Sequence, residues 1–73
     1  MTRVFVNGTF DILHLGHIKL LKKAKELGVV CVAIDSDERV RMFKGTYRPI
    51  NSYEVRKEML ESLRYVDYVV PFD

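Results

Sequence analysis

The feature that most constrains the fold is an unbroken apolar run over residues 29–34. A strand with one face in water alternates apolar and polar side chains, whereas a strand covered on both faces reads as a continuous apolar run. Gly28 precedes the run and Asp35 follows it, and both residues are typical of strand ends. We therefore expect residues 29–34 to form a central strand of a parallel sheet.

Two shorter apolar stretches and two amphipathic segments surround this strand. Residues 3–7 predict a first strand, and residues 67–70 predict a third, which Pro71 ends. Residues 14–27 predict a helix, because apolar side chains recur there at helical spacing. The predicted core positions of that helix are Ile18, Leu20, Leu21, Ala24 and Leu27.

The segment after the central strand predicts a short helix over residues 38–42 and then a loop that carries Lys44 and Arg48. Asn51 followed by Glu54 resembles a capping box and predicts the start of a second long helix. Arg56 falls on the polar side of that helix. The predicted core face is Val55, Met59, Leu60 and Leu63.

The order strand, helix, strand, helix, strand predicts an α/β fold, half of a three-layer Rossmann-like domain with a parallel sheet. We treat residues 1–73 as a single, incomplete domain. Right-handed crossovers place both long helices on the same face of the sheet. The other face is then apolar and bare, so we expect further sequence, another chain or a second copy to cover it.

Composition narrows the classes of function. With 48% hydrophobic residues, 30% charged residues and a net charge of +2, the chain is globular and suited to small anionic ligands. Nucleic-acid binders carry a stronger basic excess, so we expect none here. Residues 29–34 are too few to cross a bilayer, which takes about 20 residues. The first residues lack a secretory signal pattern, so we expect a cytoplasmic protein. Cys31 is the only cysteine in the sequence, so we expect a buried thiol and no disulfide within the chain.

Residues 8–17 join the first predicted strand to the first helical turn, where ligands of open α/β sheets bind. Free backbone N–H groups and the positive helix end favour a phosphate at this point, and Thr9 adds a hydroxyl. His14 and His17 are three residues apart, so both side chains reach one phosphate group. Gly16 between them leaves the backbone open to a nucleotide.

Several of these side chains have a structural alternative. The two histidines could cap the helix or pack against Phe10, and the pair lacks a convincing third ligand, so we expect no metal site. Asp11 could contact an acceptor hydroxyl or stabilise the helix dipole. Asp35 could bind a ribose or cap the next turn.

A family resemblance gives the loop over residues 8–17 a more specific functional interpretation. Residues 14–17 (HLGH), preceded by residues 8–11 (GTFD), resemble the signature of the cytidylyltransferase-like nucleotidyltransferase superfamily. Within it, residues 52–57 (SYEVRK) and 64–67 (RYVD) resemble bacterial glycerol-3-phosphate cytidylyltransferase. Residues 44–51 (KGTYRPIN) are more similar to the adenylyltransferase domain that makes ADP-heptose.

The resemblance implies that a phosphate oxygen of an acceptor attacks the α-phosphate of a nucleoside triphosphate and displaces pyrophosphate. Mg²⁺ accompanies the triphosphate. The implied catalytic residues are His14, His17 and Lys44. The implied nucleotide- or phosphate-binding residues are Gly8, Thr9, Phe10, Gly16 and Arg56, and the implied substrate contacts are Asp11 and Asp35.

The favoured reaction is CMP transfer from CTP to a phosphorylated polyol or sugar such as glycerol 3-phosphate. The alternatives are adenylyl transfer from ATP to a heptose phosphate, a nucleotide-binding remnant without turnover, and an interaction module. The remnant is considered because a second family signature, Arg-x-x-Gly-Ile-Ser-Thr-Thr, is not in the sequence. By resemblance we also expect a homodimer paired around residues 64–67, or a completing chain.

Overall fold

A computed structural model describes residues 2–72 and contains three strands and three helices in that range. The elements are β1 (Arg3–Gly8), α1 (Leu15–Leu27), β2 (Val29–Asp35), α2 (Asp37–Lys44), α3 (Tyr53–Glu61) and β3 (Tyr68–Phe72). The sheet order is β1-β2-β3, and both strand pairs are parallel. This confirms the predicted Rossmann-like half domain. None of the helices in residues 2–72 has the length and apolar character to cross a membrane.

The apolar run is the central strand, as predicted. β2 pairs with β1 on one side, where Val30 aligns with Val4, and with β3 on the other, where Val32 aligns with Val69. Every residue from 30 to 34 is buried, including the Cys31 thiol. Burial on both faces explains why this strand has no polar alternation.

The main core lies on one face of the sheet, beneath the two longer helices. Leu21 and Ala24 of α1 and Leu60 of α3 belong to one buried cluster with the side chains of β2 that point to that face, Val30, Val32 and Ile34. Both crossovers therefore place their helices on the same side, which confirms the prediction from right-handed connections.

The other face of the sheet carries large apolar side chains in contact with water. Phe5 aligns with Cys31 and Tyr68 in the strand register, and Phe5 is 67% exposed. Val70 and Phe72 lie on the same face and are also exposed. We call Phe5, Tyr68, Val70 and Phe72 the open face. The bare second face was predicted from the strand pattern.

The core stripe of α1 is narrower than predicted. Leu21 and Ala24 are buried, whereas Leu20 is 50% exposed and Leu27 is 61% exposed. A helix that packs against only one neighbouring surface buries the positions that point directly at it, here Leu21 and Ala24. The prediction of Leu20 and Leu27 as core residues was wrong for this reason.

The core face of α3 is rotated from the predicted one. Val55 and Met59 are exposed, while Arg56 and Leu60 are fully buried. Arg56 and Leu60 are separated by one helical turn, so they share the face that points into the protein. The helix is also capped one residue later than predicted, because the Ser52 side chain accepts a hydrogen bond from the Val55 N–H.

Two element boundaries also differ from the prediction. The second helix begins after Ser36, whose side chain accepts from the Arg39 N–H, and it extends to Lys44. Lys44 is therefore the last residue of a helix and not part of a loop. Pro71 lies within β3 instead of ending it, because β3 is an edge strand and an edge strand tolerates a missing N–H donor.

Candidate functional site

The segment between β1 and α1 forms one wall of a polar cleft of about 260 Å³ at the carboxyl end of the sheet. The cleft is lined by residues 9–12, His14, His17 and Lys44. Lys44 reaches it from the end of α2, about thirty residues further along the chain. The structure thus brings together the three side chains predicted to be catalytic.

His14 caps α1, and the cap hydrogen bonds select the tautomer of each imidazole in its neutral form. The Gly16 N–H donates to His14 Nδ1 at 3.0 Å, and the His14 N–H donates to His17 Nδ1 at 3.2 Å. A neutral histidine that accepts at Nδ1 carries its proton on Nε2. Each neutral ring therefore keeps an Nε2–H donor that the cap does not use.

The two imidazoles are stacked, with ring centroids 3.9 Å apart and planes at 23°. A positive charge on His14 at this separation disfavours the charged form of His17. Partial burial, together with His14 and the Lys44 ammonium, holds the pKa of His17 below its ordinary value. His17 consequently favours the neutral form near pH 7, in which it is a hydrogen-bond donor without a charge.

Phe10 is the buried residue of the loop between β1 and α1, and its ring packs against His17. It is 4% exposed, its backbone has a φ of 55°, and its ring centroid lies 4.7 Å from that of His17. Positive φ is uncommon for a bulky side chain and persists only where surrounding contacts hold it. A Cβ added at Gly8 would lie 2.8 Å from Phe10 Cε2, so a glycine there lets the ring fold back. The buried Phe10 ring thus holds the imidazole of His17 in place by direct contact.

Gly16 lies in the first turn of α1, as expected from the motif. A Cβ added there would lie 2.9 Å from His14 Cε1 and 3.1 Å from His14 Nδ1. A side chain at this position would therefore push the His14 ring out of the cap. This steric role is separate from the predicted access of a nucleotide to the backbone.

The two acidic residues predicted as substrate contacts already accept hydrogen bonds within the chain. Asp11 accepts from the backbone N–H groups of Ile50 and Asn51, which ties the loop to the segment before α3. Asp35 accepts from Thr9 Oγ1 at 2.9 Å and from Arg39 Nε at 2.8 Å. The structure gives both carboxylates a role in holding the cleft together.

Arg56 was predicted on the polar side of its helix, and this placement was wrong. Its side chain is fully buried, and Nε, Nη1 and Nη2 all donate within the protein. The acceptors are the carbonyl oxygens of Thr9, Asp35 and Asn51 and the carboxylate of Asp37. The guanidinium is therefore behind the cleft wall, and it is not among the residues that line the cleft.

Asp37 is a residue that sequence reasoning missed. Its Oδ1 accepts from Arg56 Nη2 and from the Tyr53 N–H, both at 2.7 Å. The only signal in the sequence was its position directly after Ser36, in the first turn of α2. An acidic side chain there is already explained by the helix dipole, so nothing pointed to a further role.

The chemistry available in the cleft is that of an anion site. The side chains of His14, His17 and Lys44 line a volume of about 260 Å³, and the two histidines are at the amino end of α1. No group of three His, Cys, Asp or Glu side chains within residues 2–72 is arranged to hold a metal ion. Imidazole N–H donors beside one ammonium group suit an anion such as a phosphate.

Comparison with known proteins gave a family and close relatives. The family model described as cytidylyltransferase-like matches residues 5–73. The chain is similar to a protein named Bifunctional protein HldE from a Nitratiruptor species, with 58% identity over 71 residues. A protein of the same name from Coxiella burnetii is 51% identical over 72 residues.

These alignments cover 96% and 97% of the chain but 15% of each relative, so the chain spans a small part of the proteins it matches. A solved structure, described as the lipopolysaccharide core biosynthesis protein from Thermoplasma volcanium, is similar with a TM-score of 0.87 and 36% identity. That match covers 97% of the chain and 57% of the solved one.

Proposed function

The chain belongs to the cytidylyltransferase-like family, and from that membership and the cleft we propose that it binds a nucleoside triphosphate for nucleotidyl transfer. The observation that carries the proposal is the capped histidine pair. Both Nδ1 atoms accept from the backbone, so both Nε2–H groups are left for a ligand. Paired N–H donors at a helix start suit a phosphate, and the helix cap uses only the Nδ1 atom of each ring.

In the proposed reaction, an oxygen of the acceptor's phosphate forms a bond to the α-phosphorus of the triphosphate. The bond between the α-phosphorus and the bridging oxygen breaks, and pyrophosphate leaves with the electron pair. The imidazoles of His14 and His17 donate hydrogen bonds to the charge that develops on the phosphate oxygens. Lys44 neutralises charge on the leaving side, and no covalent enzyme intermediate is involved.

Mg²⁺ fits this site as a companion of the triphosphate and not as an ion held by the chain. Asp11 lines the cleft and Asp35 accepts from Thr9, which also lines it, and both carboxylates already accept from N–H or O–H groups on both oxygens. When bound, the ion neutralises triphosphate charge through the phosphate oxygens and keeps several waters.

For the finer assignment we propose adenylyl transfer from ATP to a heptose phosphate. Three observations support it: residues 44–51 resemble the ADP-heptose adenylyltransferase domain, the relatives carry the name HldE, and the solved neighbour is described by lipopolysaccharide core biosynthesis. Residues 52–57 and 64–67 favour the second candidate, cytidylyl transfer to glycerol 3-phosphate.

Pyrophosphate release separates the candidates. The purified chain is incubated with Mg²⁺ and either ATP or CTP, each with a heptose phosphate or with glycerol 3-phosphate. We expect release with ATP and the heptose phosphate, and release only with CTP and glycerol 3-phosphate would select the second candidate. Release with none of the four pairs would contradict turnover by this chain and would favour a nucleotide-binding remnant.

His17→Gln is the matched control for this assay. Glutamine at the third helical position completes a normal capping box, so the helix start is kept while the imidazole is removed. We expect the rate to fall by about 10²–10³, which is typical for the loss of one donor to a transition-state oxyanion. Because glutamine keeps an amide N–H donor, an unchanged rate would show that the His17 imidazole itself is not needed at the phosphates.

A further inference from the structure

The least expected feature of the molecule is the buried guanidinium of Arg56, which joins four separate segments. It donates to Asn51 O at 3.0 Å, to Thr9 O at 2.9 Å, to Asp35 O at 2.8 Å and to Asp37 Oδ1 at 2.7 Å. These acceptors lie in the loop after β1, at the end of β2, at the start of α2 and in the segment before α3. A buried charge is stable only when it is paired and hydrogen-bonded in this way.

The bond to Thr9 matters most, because it fixes the peptide group immediately before Phe10. The Thr9 carbonyl and the Phe10 N–H belong to one rigid plane, so anchoring the carbonyl fixes the orientation of the peptide plane relative to which the φ of Phe10 is defined. That φ is 55°, in the left-handed region that a phenylalanine rarely adopts. Such a conformation needs outside contacts to hold it, and the Arg56 hydrogen bond is one of them.

The Phe10 ring passes this constraint to the histidine pair. Its centroid lies 4.7 Å from that of His17, which in turn stacks on His14 at 3.9 Å. A continuous series of contacts therefore runs from Arg56 through the Thr9 carbonyl and Phe10 to both imidazoles. Asp37 holds the other side of the guanidinium, since its Oδ1 accepts from Arg56 and from the Tyr53 N–H.

We propose that Arg56, held by Asp37, is a positioning residue that sets the loop conformation in which His14 and His17 present their donors to a triphosphate. The proposal rests on the proposed function for the identity of the ligand. It reassigns Arg56 from a phosphate ligand to a support of the phosphate loop. Arginine is required because its planar, forked guanidinium reaches several acceptors at once, which a lysine ammonium does not.

The test compares Arg56→Lys with Leu60→Ala. Lysine keeps a positive charge next to Asp37 but does not span the four acceptors. Leu60 lies one turn further along α3 and is fully buried, so its truncation destabilises the protein without removing any hydrogen bond to the loop. The imidazole resonances of both histidines are followed by NMR against pH, first without nucleotide and then with ATP and Mg²⁺.

Without nucleotide, we expect Arg56→Lys to lose the Phe10–His17 ring contact and to return the pKa of His17 toward its ordinary 6.5. Leu60→Ala keeps both signatures in its folded fraction. With nucleotide, we expect Arg56→Lys to weaken ATP binding by roughly 2- to 30-fold relative to Leu60→Ala. If Arg56→Lys kept the ring contact and the lowered pKa of His17, the proposal would be overturned.

The nucleotide-free readout separates this proposal from the proposed function. Failure of the unchanged chain to bind ATP or CTP would contradict the function, while the ring contact would still decide the role of Arg56. If Arg56→Lys does not fold, Asp37→Ala replaces it, because alanine removes the carboxylate that accepts from Arg56 Nη2 and from the Tyr53 N–H. A change in the His17 resonance in Asp37→Ala supports the positioning role, and its absence contradicts it.

Discussion

The helix cap formed by His14 allows its structural role to be separated from its proposed role in phosphate binding. His14→Ala removes the acceptor for the Gly16 N–H and the Nε2–H donor together. His14→Asn removes the imidazole but keeps a side-chain oxygen, and asparagine is among the best N-cap residues. We therefore expect the two variants to differ in stability and to agree in nucleotide affinity.

The size of each effect follows from the contacts. His14 is exposed, so His14→Ala leaves no cavity and costs only the cap, about 1 kcal/mol. In a domain of this length that corresponds to a fall in Tm of about 4–8 °C. Loss of a hydrogen bond to a charged phosphate is worth about 1.5–3 kcal/mol, which is roughly a 10- to 150-fold weaker Kd.

The assay combines urea unfolding followed by circular dichroism with calorimetric titration of ATP and Mg²⁺. His14→Asn should unfold at the same urea concentration as the unchanged chain, and His14→Ala at a lower one. Both should bind ATP more weakly by a similar factor. Equal destabilisation of the two variants would refute the cap, and an unchanged Kd in His14→Asn would refute the donor role of the Nε2–H group.

Three further predictions concern the rest of the fold. The Lys25 ammonium, helped by the Val30 N–H, holds the pKa of Asp67 below 3.8, so Asp67→Asn should be less stable than the unchanged chain above that pH. Urea unfolding at several pH values should show this difference shrinking as the pH falls through the lowered pKa. A Cβ at Gly28 would overlap the Thr2 carbonyl oxygen, so Gly28→Ala should lower Tm by several degrees in a thermal melt; an unchanged Tm would contradict that packing. Because the open face is apolar, sedimentation should show a second copy bound at high protein concentration, and a compact monomer would contradict self-association.

The fold could be predicted because its signals are local in sequence. The apolar run at residues 29–34 predicted a parallel sheet. The handedness of the crossovers predicted that both long helices cover the same face of that sheet. The histidine loop was found for the same reason, since its residues lie within residues 8–17 and need no distant partner to be recognised.

The errors arose where distant segments decide the environment of a side chain. From the sequence alone, Arg56 has the features of a surface residue. The acceptors that make its burial possible are 47, 21 and 19 residues away at Thr9, Asp35 and Asp37, so the local sequence does not reveal them. Pro71 was expected to end a strand, and only the sheet order reveals that β3 is an edge strand. Periodicity reports which positions share a face but not how wide the covered stripe is, which explains the exposed Leu20.

The most direct test of the triphosphate site is an NMR titration of the chain with ATP and with CTP, each with Mg²⁺, beside a His14→Ala/His17→Ala variant. A site built from the first loop predicts saturable shifts at residues 8–17 and at Lys44 that are absent from the double variant. The tighter nucleotide then identifies the nucleotidyl group. An unchanged spectrum at millimolar nucleotide, or equal shifts in the double variant, would contradict triphosphate binding by the histidine pair.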